Sequence, residues 1–247
     1  MTVWKRFIFT IGTMCWLAGS GTTLLNGEAA GEDQLVGWWR FDDIQEQQVP
    51  DRSGRGNQGH VAYGEWVKGI DGKAIRFGHS SASFKVPSSP SLSPVENLTL
   101  EAWVQLKEVP SGFPSVIRKE GSYALRFCDR NIGIVLWRKG QPVVLEGPDI
   151  GGDTERWRHL ACTYDGTKMT LYVDGRVVAA KEQQGFLDST YAELHMGGYA
   201  GHYLLDGVLD EAKVYARTLR PEEIARSFEK GRSALRAQKD VEIESHR

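Results

Sequence analysis

The sequence has few cysteines, no excess of charge of either sign and, beyond its first thirty residues, no long hydrophobic run. It has 30 lysine and arginine residues and 32 aspartate and glutamate residues, which gives a net charge of −2 and a pI of about 6.3. This balance argues against a nucleic-acid-binding protein, which usually carries a basic stripe. The 40% hydrophobic and 25% charged residues are typical of a folded chain and not of a disordered one.

The segment 1–29 has the pattern of a secretory signal. Lys5 and Arg6 precede an apolar run at 7–19, which is shorter than the roughly 20 residues of a membrane-spanning helix. Cleavage is expected after Ser20 or Ala29, and an uncleaved anchor is the alternative. We therefore expect an exported bacterial protein, periplasmic, secreted or at the cell surface, without a stable membrane span after cleavage.

If the protein is exported, its two remaining cysteines can be interpreted in two ways. Cys15 lies in the predicted signal, and Cys128 and Cys162 remain. An oxidising compartment permits a disulfide between them, whereas two buried thiols that act as small hydrophobic side chains are the alternative. No Cys-x-x-Cys pair is present, so the sequence predicts no zinc or redox centre.

Hydrophobic alternation predicts an all-β fold. In Leu98–Leu106 every second residue is apolar, which indicates a strand with one buried face. The same pattern occurs in Ile132–Trp137, Met169–Val173 and Val208–Tyr215. Four Asp-Gly pairs favour the positive φ angles of tight hairpin turns; they are Asp71-Gly72, Asp165-Gly166, Asp174-Gly175 and Asp206-Gly207.

One short helix is predicted near the C-terminus. Pro221 begins it and Glu222 and Glu223 lie in its first turn, which suits the positive end of the helix dipole. The residues after Gly231 are predicted to form a polar tail. The domain proper is therefore expected at 30–220, followed by the helix and tail at 221–247.

Several motifs in these strands resemble those of the laminin-G-like, concanavalin A-like jelly-roll family, and they occur in the family's order. The motifs are WRFDD at 39–43, DRSGRGNQG at 51–59, GKAIRF at 72–77, LTLEAWV at 98–104, WRHLACTYDG at 157–166, LYVDG at 171–175 and LDEAKVYAR at 209–217. The resemblance implies two antiparallel sheets packed face to face as a jelly-roll sandwich. It does not specify a function, because this fold hosts lectins, adhesion modules, hydrolases and lyases.

Asp210 is the most informative single residue for a metal site. It shares its strand face with apolar residues, where a bare carboxylate is costly. The family resemblance implies a structural calcium between the first strand, the Gly/Asn-rich loop and the last strand, with Asp42 or Asp43, Asn57 and Asp210 as ligands. The alternative is that Asp210 accepts backbone N–H bonds or pairs with an arginine.

Aromatic residues on loops are the candidates for a ligand site. Sugar rings stack on aromatic faces while polar groups bind their hydroxyls, which favours Trp137, Tyr199, His202 and Tyr203. The alternative is that these rings fill the core or cover its rim. The segment 54–59 matches Gly-x-Gly-x-x-Gly, but an alternating, strand-like stretch follows it, so no dinucleotide site is predicted.

Catalytic motifs are absent from the sequence. No glutamate has an aspartate two residues further on, as in glycosidases of this fold, and Gly-x-Ser-x-Gly, His-Glu-x-x-His and the P-loop do not occur. We therefore expect a non-catalytic module that binds a carbohydrate or cell-surface glycoconjugate and contains a structural calcium. The alternatives are an adhesion module that binds a protein, and a glycoside hydrolase or polysaccharide lyase.

Overall fold

The computed structural model describes residues 34–43, 46–78, 82–198 and 202–245. The predicted signal, including Cys15, and the candidate Tyr199 lie outside these residues. The strands in chain order are β1 Leu35–Trp39, β2 Gln48–Val49, β3 Gly59–Ala62, β4 Glu65–Lys68, β5 Lys73–Phe77, β6 Ser83–Val86, β7 Leu98–Leu106, β8 Ser115–Lys119, β9 Tyr123–Cys128, β10 Asn131–Arg138, β11 Gln141–Asp149, β12 Trp157–Tyr164, β13 Lys168–Val173, β14 Arg176–Glu182, β15 Leu194–Met196 and β16 Gly207–Tyr215. A 3-10 turn at Pro90–Leu92 and an α-helix, α1 (Pro221–Ser245), follow the strands in this description.

The strands form two antiparallel sheets of eight strands each, which confirms the predicted jelly-roll sandwich. The first sheet has the order β14-β13-β12-β7-β16-β5-β4, with β1 also paired to β16. The second sheet has the order β11-β10-β9-β8-β15-β6-β3-β2. Strands distant in sequence are therefore neighbours in space, and this brings loops from several parts of the chain onto each sheet.

The core lies between the two sheets. The apolar residues of the predicted strand Leu98–Leu106 point into it, as the alternation requires. Trp39 and Phe41 meet Phe84 edge to face, with ring centres 5.8 and 5.4 Å apart. Edge-to-face aromatic contacts of this kind stabilise the packing between the sheets.

The Asp-Gly pair between β13 and β14 forms the predicted hairpin turn. Asp174 has φ of 50° and Gly175 has φ of 76°, and Val173 pairs directly with Arg176. Two successive positive φ angles match a two-residue turn of type I′. The Asp174 carboxylate also accepts the backbone N–H of His159 at 3.0 Å, which connects this turn to β12.

Helix α1 is longer than the sequence analysis predicted. The residues after Gly231 continue the helix to Ser245 and do not form a polar tail. Residues 224, 228, 231, 235 and 238 recur at alternating spacings of four and three, so they share one helix face. Phe228 stacks on Trp103 of β7 at 5.7 Å, which packs this face against the outer side of the first sheet.

Cys128 and Cys162 are buried free thiols. The structure therefore agrees with the alternative of two buried thiols and contains no disulfide between them. Cys162 points into the core between the sheets, whereas Cys128 follows the core residue Phe127 and contacts Gly133 on the outer side of the second sheet. The two side chains belong to different sheets, and that of Cys128 points away from the core that holds Cys162, so they do not reach bridging geometry. Burial raises the pKa of both thiols.

None of the helical segments in the described ranges has the length and hydrophobicity that a membrane span requires.

Candidate binding and metal sites

The outer face of the second sheet brings two of the predicted ligand residues together. The guanidinium of Arg118 on β8 lies over the ring of Tyr203 at 4.5 Å and over the ring of Trp137 on β10 at 5.4 Å. The strand register explains why Arg118 and Trp137 are close. Arg118 pairs with Ala124 of β9, and Ala124 pairs with Val135 of β10, which is two residues before Trp137 and on the same face. We call Arg118, Trp137 and Tyr203 the aromatic clamp.

Arg118 is fixed within this clamp by an ion pair. Its Nε donates to the Glu120 carboxylate at 2.6 Å, and its side chain is buried, with 4% exposed. Cation–π contacts contribute about 0.5–2 kcal/mol each, more where water is excluded. Arg118 therefore holds the two rings in place, and sequence reasoning missed it because that reasoning searched only loop aromatics.

Tyr203 is partly open to solvent and held in an uncommon backbone conformation. Its ring is 37% exposed, and its φ of 54° lies in the left-handed region that disfavours large side chains. Its carbonyl accepts the backbone N–H of Ser115 at 2.9 Å, which fixes the loop to β8. His202 is exposed next to it, with ring centres 6.4 Å apart.

A second loop runs beside Trp137 and adds an aromatic ring that the sequence analysis did not select. The backbone N–H of Asp188 donates to the Trp137 carbonyl at 2.9 Å, and the Thr190 hydroxyl donates to the Glu120 carbonyl at 2.9 Å. Tyr191 follows in the same segment and is 98% exposed. Its exposure is visible only in the structure, and it marks Tyr191 as a surface ring, since core aromatics are not exposed in this way.

Asp210 is buried as predicted, and its carboxylate accepts backbone N–H groups. The N–H of Ile70 donates to one oxygen at 2.8 Å and that of Glu211 to the other at 2.7 Å. Burial, together with the charges of Glu211 and Asp42, raises the pKa of Asp210 well above its usual value. The backbone N–H bonds considered for Asp210 are therefore present.

The four predicted calcium ligands do not form one group. Asp42 accepts the backbone N–H of Lys73 at 2.7 Å, so it binds the 69–72 turn, the same turn that Asp210 contacts through Ile70. Asp43 instead pairs with Arg52 on the surface. Across residues 34–43, 46–78, 82–198 and 202–241, no three His, Cys, Asp or Glu side chains are grouped for metal binding.

Asn57, a predicted calcium ligand, binds two other segments through its side chain. Its side-chain amide donates to the Val36 carbonyl at 2.6 Å and to the Ser91 hydroxyl at 2.9 Å. Val36 lies beside the end of β16, well along the strand from Asp210. Asn57 therefore closes its own loop against β1, and the segment 54–59 leads into strand β3, as expected for a loop that binds no dinucleotide.

Asp51 organises this loop, although the sequence analysis did not single it out. Its carboxylate accepts the backbone N–H groups of Trp38, Ser53 and Asn57 at 3.0, 2.8 and 2.9 Å. An aspartate that accepts the N–H two residues further on is a common turn-forming device. The Asp-x-Ser-Gly pattern was the signal that could have identified it.

A buried polar cluster lies beneath α1 on the outer side of the first sheet. We call it the Glu101 cluster; its members are Glu101, His159, Lys213, Tyr215 and Ser227. One oxygen of Glu101 accepts from Lys213 at 3.0 Å, Ser227 at 3.2 Å and Tyr215 at 3.3 Å, and the other lies 3.5 Å from Nε2 of His159. Burial alone would raise the pKa of Glu101, but Lys213 and His159 outweigh it and hold that pKa well below its usual value. Glu101 and His159 are each 1% exposed, and Ser227 of α1 donates to Glu101, so the cluster anchors α1 to the sheet.

A groove of about 590 Å³ separates α1 from the same sheet. Trp103, Gln105 and Trp157 line the sheet side, and Phe228 and Arg232 line the helix side. This groove is the main competitor of the aromatic clamp as a ligand site, because it also combines aromatic and polar side chains.

The chain belongs to the concanavalin A-like lectin/glucanase superfamily. A laminin-G-type family model with that description matches residues 78–225, more than half of the chain. No curated protein matches the sequence significantly.

Solved structures with the same fold are domains of toxins and of a glycan-degrading enzyme. The botulinum neurotoxin serotype D ligand-binding domain in complex with N-acetylneuraminic acid has a TM-score of 0.66 at 14% identity, over 81% of this chain and 52% of that one. The binding domain of botulinum neurotoxin DC in complex with rat synaptotagmin II has a TM-score of 0.64 at 12% identity, over 81% and 52%.

Domain 4 of AbnA, an extracellular arabinanase from Geobacillus stearothermophilus, in complex with arabinotriose, has a TM-score of 0.64 at 16% identity, over 78% of this chain and 97% of that domain. The chain therefore spans about half the length of the toxin binding domains and nearly the whole length of the arabinanase domain. At these identities the likeness establishes the fold alone.

Proposed function

We propose that this chain is an exported, non-catalytic module that binds carbohydrate through the aromatic clamp on the second sheet. The observation that carries the proposal is the position of Arg118 between Trp137 and Tyr203. A sugar ring requires a flat aromatic surface already in place, and preorganised side chains lose little entropy on binding. The ion pair to Glu120 fixes the guanidinium and therefore the rings.

The surroundings of the clamp suit a sugar. The exposed His202 lies next to Tyr203, and the loop that carries the exposed Tyr191 runs beside Trp137. Glu120 and Glu193 provide carboxylates that can accept hydroxyl hydrogen bonds. The likeness to domains solved with arabinotriose and N-acetylneuraminic acid supports a glycan as the ligand. The Glu101 cluster supports a non-catalytic role, since its glutamate and histidine are covered by α1.

Affinity electrophoresis against a panel of polysaccharides tests the proposal. The wild-type protein should be retarded by at least one glycan, and Trp137→Ala should weaken that retardation by roughly fivefold or more, the equivalent of about 1 kcal/mol of lost stacking. Trp157→Ala is the matched control, because it removes a tryptophan from the groove on the first sheet. Loss of binding with Trp157→Ala alone would assign the site to that groove and contradict the proposal.

We also propose a structural calcium beside the 69–72 turn, with Asp42 and Asp210 as its carboxylate ligands. The raised pKa of Asp210, due to burial and to the charges of Glu211 and Asp42, supports a site that a cation would stabilise. Carboxylates and backbone carbonyls are the ligands that calcium prefers. Asp43 and Asn57 are left out of the proposed site because they bind Arg52 and Val36.

Calcium is tested by thermal unfolding. At a hundredfold excess over Kd, calcium should stabilise the protein by about 2.7 kcal/mol, a rise in Tm of about 5–11 °C. Asp210→Asn should abolish the rise, whereas Asp43→Asn should keep it. An unchanged Tm when chelator is added to calcium-treated protein would rule out the calcium site.

A further inference from the structure

A further aromatic ring lies on the outer face of the second sheet, away from the aromatic clamp. The guanidinium of Arg126 on β9 lies over the ring of Phe113 at 4.4 Å, and Phe113 is 47% exposed. Backbone hydrogen bonds of 2.6 and 2.8 Å join the residues on either side of Phe113 to those on either side of Cys128. Phe113 is therefore opposite Cys128, and its side chain shares the outer face of the sheet with that of Cys128.

The clamp and Phe113 lie towards opposite ends of this face. The backbone N–H of Trp137 donates to the Ser122 carbonyl at 2.9 Å, which continues the register of β9 and β10 and places Trp137 opposite Ser122. Six residues of the chain separate Ser122 from Cys128, the residue opposite Phe113. At about 3.4 Å per residue, the backbone positions of Trp137 and Phe113 are about 20 Å apart along the strands. This distance exceeds the length of one sugar ring, so a ligand that touches both ends must be a chain of several sugars.

Between the two ends the face carries one positive and one negative side chain. Arg126 pairs with Gly133 of β10, and Gly133 pairs with Glu146 of β11, so the two charged side chains flank a position that has none. Burial raises the pKa of the Cys128 thiol, the charge of Arg126 lowers it and that of Glu146 raises it, so both groups lie close to this thiol. The ion pair that fixes the clamp is balanced in the same way. This part of the face therefore favours an uncharged ligand.

An arginine and a glutamate side by side suit the hydroxyl groups of a neutral sugar. A hydroxyl both donates and accepts hydrogen bonds, whereas a guanidinium only donates and a carboxylate only accepts. Arg126 is half-buried and Glu146 is exposed, so both are within reach of a chain that lies on the sheet. The Phe113 ring beside them provides the flat apolar surface on which a sugar ring stacks. The three side chains together have the composition of a sugar subsite.

We propose that this face binds a neutral oligosaccharide of several sugars, which stacks on the aromatic clamp at one end and on Phe113 at the other. The hydroxyl groups between the two ends bind Arg126 and Glu146. The inference rests on the proposed function and narrows its ligand to an extended, uncharged chain. The two stacking ends act together, because a ligand bound at the first has a high effective concentration at the second.

Calorimetric titration with oligosaccharides of two lengths tests the inference. The probes are the disaccharide and the hexasaccharide of arabinan, xylan and β-glucan, with oligogalacturonate of the same lengths as the acidic probe. We expect one neutral hexasaccharide to bind about tenfold or more tightly than its disaccharide, since only the longer chain reaches both ends. The acidic hexasaccharide should bind no more tightly than this neutral one.

Phe113→Ala should weaken the binding of the hexasaccharide about fivefold and leave that of the disaccharide unchanged. Phe113→Tyr keeps the ring and should bind both lengths like the wild type. Trp137→Ala should instead weaken both lengths, because it damages the clamp itself. Tyr63→Ala is the matched control, since it removes an exposed ring from the turn between β3 and β4, at the far side of the sheet, and should change neither affinity.

The possible failures separate this inference from the proposed function. Equal affinity for the two lengths, or a Phe113→Ala variant that binds the hexasaccharide like Tyr63→Ala, would overturn the second subsite and keep the clamp. Tighter binding of the acidic hexasaccharide than of every neutral one would overturn the preference for an uncharged chain. Loss of both lengths with Phe113→Ala and of neither with Trp137→Ala would refute the clamp as well, as would a wild-type protein that binds no probe.

Discussion

Removal of Lys213 from the Glu101 cluster should strongly destabilise the fold. Glu101 is only 1% exposed, and the Lys213 ammonium lies 3.0 Å from its carboxylate beneath α1. Lys213→Met keeps an unbranched side chain only one atom shorter but leaves the buried carboxylate without its main cation. Breaking a buried pair from one side costs about 3–5 kcal/mol, which corresponds to a fall in Tm of about 6–20 °C for a chain of this size.

Urea unfolding followed by tryptophan fluorescence measures this loss, because Trp103 packs against α1. The double variant Glu101→Met with Lys213→Met should recover most of the stability, since it removes both charges and leaves no buried ion. Lys168→Met is the matched control: its pair with Glu182 spans 3.8 Å on exposed strands, so about 1 kcal/mol or less should be lost. The reasoning fails if Lys213→Met costs no more than this control, or if the double variant loses the sum of the single effects.

The same cluster predicts the direction of the pH dependence. The pKa of Glu101 is lower in the folded state than its value of 4.5 in the unfolded chain, so the folded state binds the proton less tightly. Its stabilisation is therefore complete above pH 4.5 and is lost as the pH falls further. Wild type should lose stability over this range more steeply than Glu101→Met/Lys213→Met, as measured by urea midpoints; parallel pH profiles would contradict the assignment.

Three further predictions concern single contacts. Gly231→Ala should destabilise the protein, because the added Cβ would lie 2.5 Å from the Trp103 ring. This clash should outweigh the higher helix propensity of alanine, which is worth about 1 kcal/mol. A higher urea midpoint for the variant would contradict the packing of Trp103 against Gly231. Asp210→Ala should lower the free energy of unfolding by about 1–3 kcal/mol, since two backbone N–H groups lose their acceptor. Urea unfolding with chelator present measures this loss, and an unchanged midpoint would contradict the hydrogen bonds. Cys128 and Cys162 should both react with a thiol reagent in denaturant without prior reduction, and no reaction would indicate the disulfide.

The strands and turns could be predicted because their signals are local. Leu98–Leu106 alternates strictly and forms the predicted strand, and Asp174-Gly175 forms the predicted turn. The length of α1 was underestimated because the face of its later turns includes Gly231, Leu235 and Gln238, a combination that hydrophobicity alone does not reveal. The glycine is needed there because the Trp103 ring leaves no room for a Cβ.

The candidate sites depend on pairings that no local pattern contains. Trp137 and Tyr203 could be selected as aromatic residues, but Arg118, which joins them, is identified only by the register of β8, β9 and β10. The burial of Asp210 followed from its strand face, whereas its hydrogen bond to Ile70 comes from a turn 140 residues earlier in the chain. Long-range pairings of this kind set the chemistry of a β-sandwich face and are not visible in the sequence.

Retardation of the wild-type protein and of Trp137→Ala, side by side on gels of each polysaccharide in the panel, is the most direct test of glycan binding by the aromatic clamp. The account predicts clear retardation of the wild-type protein and a loss of roughly fivefold or more with Trp137→Ala, while Trp157→Ala binds like the wild type. Equal retardation of all three proteins would contradict the clamp as the binding site. Shortened polysaccharide in any lane would contradict the non-catalytic role.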